Sequence, residues 1–403
     1  MEPAFTLGLE EEYLLVDRGT RDLVHSPPDE MLRSCQDQAP DRIHPEFLRC
    51  QIEVGTPVCA TIAEARTELA RLRATVAGVA DQYGMAPIAA STHPFAAWEP
   101  QKHTNRDRYN MLARDIGAPA RRLMICGMHV HVGIEDDDLR IDLMNQVRYF
   151  LPHLLALSTS SPFWRGRDME RKSYRLSVWH ELPRTGMPED FRSYGDYQQH
   201  VDILVRAGII EDASKLWWDI RPSARFRTLE MRITDICTRL EDAVTVAAFY
   251  RCLLRMLWRL RIRNVTWRPY KNLLIEENRW RAQRYGLDDG LVDFGQGRIV
   301  PYGELLEELI ELTREDAEHF GCLDELRHAR DILTRGTSAH RQVAIYRQAL
   351  EEGATGWEAL AKVVDWLVEE TMLGVAEAAM AGAPASGTSL QAAAVASSPE
   401  QLP

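Results

Sequence analysis

The sequence predicts an α+β protein built on a mainly antiparallel sheet, with helices packed on one face and the other face open. Two observations support this fold class. Six short stretches alternate apolar and polar side chains, as strands with one buried face do. Longer stretches between and after them repeat apolar residues at the spacing of amphipathic helices.

The first predicted strand covers residues 5–17 and has an acidic face. Its apolar side chains lie on one side, whereas Glu10 and Glu12 share the other side with Gly8. Glu11 interrupts the apolar face, so we expect it to have a buried partner, such as an arginine from a covering helix. Taken alone, the stretch is equally compatible with a surface strand whose acidic face is solvated.

Five further stretches share this design, with an apolar face opposite a face of chemically active side chains. Glycine and proline stop the second strand, at Gly55 and Pro57. Residues 85–90 are expected to form an additional buried strand. The five polar faces carry Gln51 and Glu53 in residues 48–57, His129 and His131 in 123–134, Ser173 and Arg175 in 173–181, Asp219 and Arg221 in 217–221, and Glu230 and Arg232 in 229–235.

Helices are predicted wherever apolar residues recur at helical spacing. Thr61 and Glu64 form the pattern of a capping box at the start of the first long helix. We expect residues 1–380 to form a single domain and the Ala/Ser/Pro-rich residues 381–403 to be a disordered tail. The predicted helices are 61–82, 106–116, 142–160, 191–207, 241–263, 304–313, 324–334, 338–351 and 355–372.

Composition excludes several classes of function. The net charge of the 403 residues is −12, which argues against a nucleic-acid-binding surface. Arginines interrupt the most apolar stretch, residues 243–262, so we expect no membrane span. The seven cysteines form no C-x-x-C pair, which is typical of buried thiols in a reducing compartment. We therefore expect a cytoplasmic protein.

The predicted open face is unusual because its six pairs of side chains are rich in Glu, His and Arg and include no lysine. Carboxylates with imidazole and no thiolate suit Mg²⁺ or Mn²⁺ better than zinc or copper. Adjacent arginines can bind phosphate or carboxylate in a bidentate manner. The residues therefore predict a metal–nucleotide site on the sheet, although an ion-pair network among the same side chains is the alternative. The chain has neither a P-loop nor a Rossmann glycine motif.

In sequence order, the motifs resemble those of the bacterial carboxylate–amine ligases, also called glutamate–cysteine ligase type 2. Each motif is unspecific by itself, but the resemblance extends in sequence order over about residues 5–375. This family belongs to a wider group that is similar to glutamine synthetase. The motifs are GLEEE at 8–12, QIE at 51–53, GMHVH at 127–131, SYR at 173–175, WDIRP at 218–222, LEMR at 229–232, ENRWRA at 277–282 and RYG at 284–286.

The resemblance implies a curved sheet whose concave face binds ATP and more than one Mg²⁺, with helices on the convex side. It also implies that Arg175 contacts the carboxylate substrate or the transferring phosphoryl group, and that Arg232 and His131 assist catalysis. The implied metal ligands are Glu10, Glu12, Glu53, His129 and Glu230. The implied nucleotide-binding residues are His131, Arg221, Arg232, Asn278 and Arg279.

The implied reaction phosphorylates a carboxylate with ATP, after which an amine displaces phosphate to form an amide. Glutamate and cysteine are the suspected substrates, and a homodimer is expected by resemblance. Two other functions are compatible with the same residues. One is a phosphotransferase resembling the guanidino kinases, and the other is a non-catalytic protein that binds Mg²⁺ and nucleotide.

Overall fold

The computed structural model describes residues 1–381, without the side chains of residues 108, 111–113, 115, 118 and 381. Almost all of the predicted tail, residues 381–403, therefore lies outside the described residues. The described chain alternates strands and helices in its first half and is largely helical after residue 239.

Elements are numbered along the chain. The first part contains β1 (Leu7–Asp17), α1 (Asp29–Gln38), β2 (Ile43–Pro45), β3 (Gln51–Gly55), α2 (Ile62–Asp81), β4 (Met85–Ile88) and α3 (Asp107–Ile116). The middle contains β5 (Met128–Gly133), α4 (Asp137–Val147), α5 (Leu151–Ser158), β6 (Phe163–Trp164), β7 (Arg167–Asp168), α6 (Arg175–Trp179), β8 (Thr185–Gly186), α7 (Tyr194–Arg206), β9 (Trp217–Trp218), β10 (Ile220–Pro222), β11 (Thr228–Met231) and α8 (Leu240–Ile262). The last part contains α9 (Asn272–Tyr285), β12 (Leu291–Asp293), β13 (Arg298–Val300), α10 (Tyr302–Phe320), α11 (Leu323–Arg327), α12 (Ala329–Arg335), α13 (Ser338–Glu351), α14 (Gly356–Thr371) and α15 (Val375–Ala381).

Strand β1 is the centre of a seven-stranded sheet with the order β10-β11-β5-β1-β3-β2. Every pairing in this sheet is antiparallel. Strand β4 pairs with the second half of β1, on the same edge as β5, because Leu14 is opposite both Gln51 of β3 and Ile88 of β4. One long strand therefore holds three neighbours in register.

Helices cover the apolar face of the sheet. Leu7, Leu9 and Tyr13 of β1 are buried beneath them, whereas Glu10 and Glu12 are partly exposed on the other face. Helix α2 packs on β1 and β4, and α8 packs on β5. The predicted α+β fold with one open sheet face is confirmed. Among the described residues, no helix is both long and apolar enough to cross a membrane.

The expected buried partner of Glu11 is Arg73, which helix α2 supplies. The side chains of both residues are fully buried. The Arg73 guanidinium donates to the Glu11 carboxylate from Nε at 2.8 Å and from Nη2 at 2.6 Å. It also donates to the carbonyl oxygens of Thr238 and Cys237, while the Tyr13 hydroxyl donates to Glu11 at 2.5 Å. The pair joins β1, α2 and the segment that follows β11.

The predicted strand at residues 173–181 is wrong, because residues 175–179 form the short helix α6. The apolar residues of this stretch alternate over few positions, and a short run does not distinguish a strand from one helical turn. A buried carboxylate fixes the turn, since the Ser173 hydroxyl donates to Asp235 at 2.8 Å. The Arg175 amide donates to the Ser161 hydroxyl at 3.1 Å.

The predicted strand at residues 217–221 is two strands, β9 and β10, separated at Asp219. The Asp219 amide donates to the Gly186 carbonyl, and its own carbonyl accepts from the amides of Arg232 and Ile233. Asp219 therefore joins two separate sheets. Its side chain is buried against Arg279, whereas Arg221 binds Glu230 and lines the cleft.

We predict that Arg73→Leu lowers the free energy of unfolding by about 3–5 kcal/mol, because it leaves the Glu11 carboxylate buried without its cation. The measurement is urea unfolding followed by circular dichroism. The matched control is Arg71→Leu on the same helix, where the ion pair with Glu68 is partly exposed, and it should change stability by less than about 1 kcal/mol. Equal losses in the two variants would contradict the assignment.

Candidate active site

The register of the sheet aligns the polar side chains of neighbouring strands. Glu10 of β1 lies opposite His129 of β5. His131 of β5 lies opposite Glu230 of β11, and Glu230 in turn lies opposite Arg221 of β10. The polar groups predicted on separate strands therefore form continuous rows across the open face.

A second row lies toward the other edge of the sheet. Glu12 of β1 is opposite Glu53 of β3, which is opposite His44 of β2. Directly opposed residues in an antiparallel pair have Cβ atoms about 4.5–5.5 Å apart. Two carboxylates opposed at this distance repel each other unless a cation or a proton intervenes.

The first group of potential metal ligands consists of Glu10, His131 and Glu230, which we call the histidine cluster. One ligand atom from each lies within 4.8 Å of the others. His131 directs Nε2 toward Glu10 at 3.4 Å because its Nδ1 faces the Thr228 hydroxyl at 2.9 Å. His129 lies beside this cluster, with Nδ1 at 3.2 Å from the Glu10 carboxylate. The geometry thus favours His131 over His129 as the ligand of this cluster, although sequence analysis assigned them the other way round.

Two arginines hold Glu230. Arg221 donates from Nε at 2.9 Å and from Nη2 at 3.2 Å, and Arg232 donates from Nη1. Burial alone would raise the pKa of Glu230, but the two guanidinium groups hold this pKa well below its usual value. Glu230 is therefore ionised at neutral pH, and both arginines are fixed at the edge of the cluster.

The pKa values of His129 and His131 shift in opposite directions. Burial lowers the pKa of His129 to about 4, with a further contribution from the charge of Arg232. Burial also opposes protonation of His131, but its hydrogen bond to Glu10 raises the pKa of this imidazole overall. Burial likewise disfavours the Glu10 carboxylate, yet the hydrogen bonds from both histidines hold the pKa of Glu10 well below its usual value.

The second group consists of Glu12, Glu46 and Glu53, which we call the carboxylate cluster; its ligand atoms also lie within 4.8 Å of one another. The sequence pattern does not point to Glu46. This residue follows the short strand β2 in a loop, where one carboxylate gives no periodic signal. Its place in the site follows only from the pairing of β2 with β3.

The carboxylate cluster has the properties of a cation site. Burial, followed by the charge of Glu46, raises the pKa of Glu12 to about 7. Burial and the charges of Glu46, Glu10 and Glu12 raise the pKa of Glu53 well above its usual value. An all-oxygen donor set of three carboxylates fits Mg²⁺ or Mn²⁺, and a bound cation would offset the repulsion between Glu12 and Glu53.

Arg175 lies behind Gly127 instead of in the wall of the cleft. Its guanidinium donates to the carbonyl oxygens of Ile233 and Arg232, each at 3.2 Å. A Cβ atom at Gly127 would come within 2.4 Å of Arg175 Nη2, so a larger residue at this position would have to displace the guanidinium. The Gly127 amide donates to Glu12 at 2.7 Å. Arg175 therefore supports the loop that orients Glu12.

Asn278 and Arg279 lie in α9, below the cleft. The Asn278 side chain is paired with the backbone of Val292 in both directions, at 2.9 and 2.7 Å. Arg279 is bound to Asp219, with Nε at 2.5 Å from Oδ2. The contact of Asn278 and Arg279 with a nucleotide remains a prediction. In the structure, Asn278 binds the backbone that follows α9, and Arg279 binds Asp219.

Backbone groups bind the polar side chains of Ser91, Thr92 and His93, which follow β4. The Ser91 hydroxyl accepts from the Ile236 amide, and the Thr92 hydroxyl donates to the Phe163 carbonyl. The His93 ring contacts the backbone of three residues. Cys126 is completely buried, as expected for a packing residue, and burial raises the pKa of its thiol well above the usual value.

Both clusters line one cleft on the open sheet face. Its walls are aromatic and aliphatic, and Arg221, Arg225, Arg232 and Lys215 lie along it. Such a site can hold a polyanion by its phosphates and exclude water from reacting groups. The apolar wall residues are Phe47, Tyr109, Leu123, Ile125, Trp179, Leu182, Trp217 and Phe226.

The sequence matches the model of glutamate-cysteine ligase family 2 over residues 6–360. A protein of Rhodospirillum rubrum is 60% identical over 387 residues, which cover 95% of this chain and 99% of that protein. A protein of Paracoccus denitrificans is 52% identical over 369 residues, which cover 92% of this chain and 98% of that protein. Both bear the name "Putative glutamate--cysteine ligase 2".

Solved structures share the fold at low sequence identity. A glutamate–cysteine ligase of Francisella tularensis in complex with AMP superposes with a TM-score of 0.63 at 14% identity, covering 94% of this chain and 93% of that one. A bifunctional glutathione synthetase of Pasteurella multocida gives a TM-score of 0.64 at 15% identity, covering 91% of this chain and 52% of that one.

We predict that the wild-type protein binds two Mn²⁺ ions, one at each cluster. Replacement of Glu46 by Gln should remove one of them, because it takes a charged ligand from the carboxylate cluster alone. Isothermal titration calorimetry with Mn²⁺ counts the sites. Glu304→Gln, at an exposed position of α10, is the matched control and should retain both; an unchanged stoichiometry in Glu46→Gln would contradict the site.

Proposed function

Because the chain belongs to glutamate-cysteine ligase family 2, we propose that it is an ATP-dependent carboxylate–amine ligase that works through an acyl phosphate. The family supports a ligase that joins a carboxylate to an amine, and the use of ATP and the intermediate are our additions. The observation that carries the proposal is the arrangement of two clusters of potential metal ligands, bordered by arginines, in one cleft.

The reaction has two steps. A carboxylate oxygen attacks the γ-phosphorus of ATP, the bond to the bridging oxygen breaks, and ADP leaves. The amine nitrogen then attacks the carbonyl carbon, the amine loses a proton, and inorganic phosphate leaves with the oxygen that came from the carboxylate. A free carboxylate is a poor acylating agent at neutral pH, and the phosphoric anhydride supplies the leaving group.

In this proposal, Glu10, His131 and Glu230 hold one divalent cation, with His129 fixing Glu10. Glu12, Glu46 and Glu53 hold another. Bound Mg²⁺ or Mn²⁺ would neutralise the charge on the phosphate oxygens during transfer.

The cationic side chains have separate tasks. Arg221 and Arg232 are fixed by Glu230 at the edge of the histidine cluster, so their guanidinium groups are prearranged for phosphate oxygens. Arg175 acts as a positioning residue through the loop at Gly127. This differs from the direct substrate contact that sequence analysis expected.

The names of the relatives support a choice of substrates. We propose glutamate as the carboxylate and cysteine as the amine, in agreement with the name that both relatives bear. A homodimer and a cytoplasmic location remain predictions from the sequence.

The central test is phosphate release by the purified protein with Mg²⁺, ATP, glutamate and cysteine. We expect ADP and phosphate in equal amounts, an amide product, and no sustained turnover when either substrate is omitted. A screen of other carboxylate and amine pairs with the same readout identifies the substrates if the first pair is poor. ADP with a stable phosphorylated product and no phosphate release would indicate a phosphotransferase and contradict the proposal.

Gly127→Ala tests the positioning role of Arg175. The added methyl group displaces the guanidinium and the loop that orients Glu12, so we expect turnover to fall about 10- to 100-fold while the fold is retained. Gly78→Ala in α2 is the control, since a Cβ at this position would meet no atom within 4 Å. Steady-state kinetics and thermal unfolding are measured together. Full activity in Gly127→Ala would show that Arg175 does not position the site.

A further inference from the structure

Phe226 has a much larger exposed fraction than the other aromatic residues that line the cleft in the described chain. Its side chain is 61% exposed, whereas Phe47, Tyr109 and Trp217 are 4%, 7% and 9% exposed. Trp179 is partly buried. Among the aromatic rings that line the cleft in the described chain, Phe226 therefore offers the largest uncovered surface.

Partners already occupy the other rings. Phe47 packs edge-on against Tyr109, with ring centroids 5.8 Å apart. Trp179 and Trp217 pack edge-on at 6.3 Å, and the Trp179 indole donates to the Trp217 carbonyl. These rings build the walls, and they expose less surface to a further planar group than Phe226 does.

The backbone holds Phe226 in place although its ring is exposed. It lies in the turn between β10 and β11, where the Ser223 hydroxyl accepts from the amides of Arg225 and Phe226 at 3.3 Å each. The Ser223 amide donates to the Thr228 carbonyl, and the Ile134 amide donates to the Arg227 carbonyl. The turn is thus anchored to its own hairpin and to the end of β5.

The ring lies next to the histidine cluster. Its centroid is 6.2 Å from that of the His131 imidazole, and the two rings are perpendicular, with an angle of 88°. A nucleotide with its phosphates at the clusters must extend its base toward one end of the cleft. The hairpin end offers an uncovered ring, whereas the end at Phe47 and Tyr109 offers rings that are packed against each other.

We infer that Phe226 is the stacking platform for the nucleotide base, so that ATP lies with its base at the β10–β11 hairpin. This inference rests on the proposed function, which supplies the nucleotide. The carboxylate and the amine then approach from the opposite end, near Phe47, Tyr109 and Leu123. The chemical class that the platform recognises is a planar nucleobase, because stacking on an aromatic ring tolerates any base.

The test compares the binding of ADP and of inorganic tripolyphosphate, both with Mg²⁺, by isothermal titration calorimetry. Phe226→Ala and Phe226→Leu should weaken ADP binding about tenfold, which corresponds to about 1.4 kcal/mol, within the range of base–aromatic stacking. Tripolyphosphate has no base and should bind equally to the wild type and both variants. Phe226→Tyr and Phe226→Trp keep a ring and should bind ADP like the wild type.

The outcomes separate this inference from the proposed function. Equal ADP affinity in the wild type and Phe226→Leu would overturn the platform, as would an equal weakening of ADP and tripolyphosphate. If the wild type bound tripolyphosphate but not ADP, the platform would also be overturned. Binding of neither ligand to the wild type would overturn the proposed function together with the platform.

Discussion

The buried ion pair between Glu11 and Arg73 makes the open face of the sheet possible. A strand directs alternate side chains to opposite faces, so Glu10 and Glu12 can face the cleft only if residue 11 faces the core. A carboxylate in the core is tolerated only with a well-placed cation and further hydrogen bonds. Arg73 provides the cation, and its remaining donors bind backbone carbonyl oxygens beyond β11. The pair therefore ties the central strand to its covering helix and to the segment that follows the strand carrying Glu230.

On the open face, carboxylates lie next to one another, in contrast to the paired carboxylate in the core. Glu12, Glu46 and Glu53 lie together on the open face, and burial together with mutual repulsion raises the pKa of Glu12 and Glu53. Glu230, by contrast, is neutralised by Arg221 and Arg232. Both clusters thus offer ligands to a cation, and the arginines beside the histidine cluster also offer prearranged positive charge to an anion. A magnesium-bound polyphosphate complements both features.

Much of this arrangement could be predicted from the sequence. The alternation in β1, β5 and β11 identified the faces of Glu10, His131 and Glu230 correctly, and the charge at Glu11 within an apolar face predicted a buried arginine. Periodicity failed where tertiary contacts decide the backbone. The stretch at Ser173 turns into a helix because Asp235 and Ser161 bind it, and Asp219 interrupts a strand to pair with Arg279. Glu46 was missed because a single loop carboxylate gains its role only when β2 pairs with β3.

The central claim is that this cleft activates a carboxylate by transferring phosphate to it, and oxygen tracing tests that claim most directly. The substrate carboxylate is labelled with ¹⁸O, and the phosphate released during amide formation is analysed by mass spectrometry. The account predicts that each phosphate carries about one ¹⁸O atom, because the oxygen that attacks the γ-phosphorus leaves with it. Release of unlabelled phosphate alongside amide formation would contradict the account.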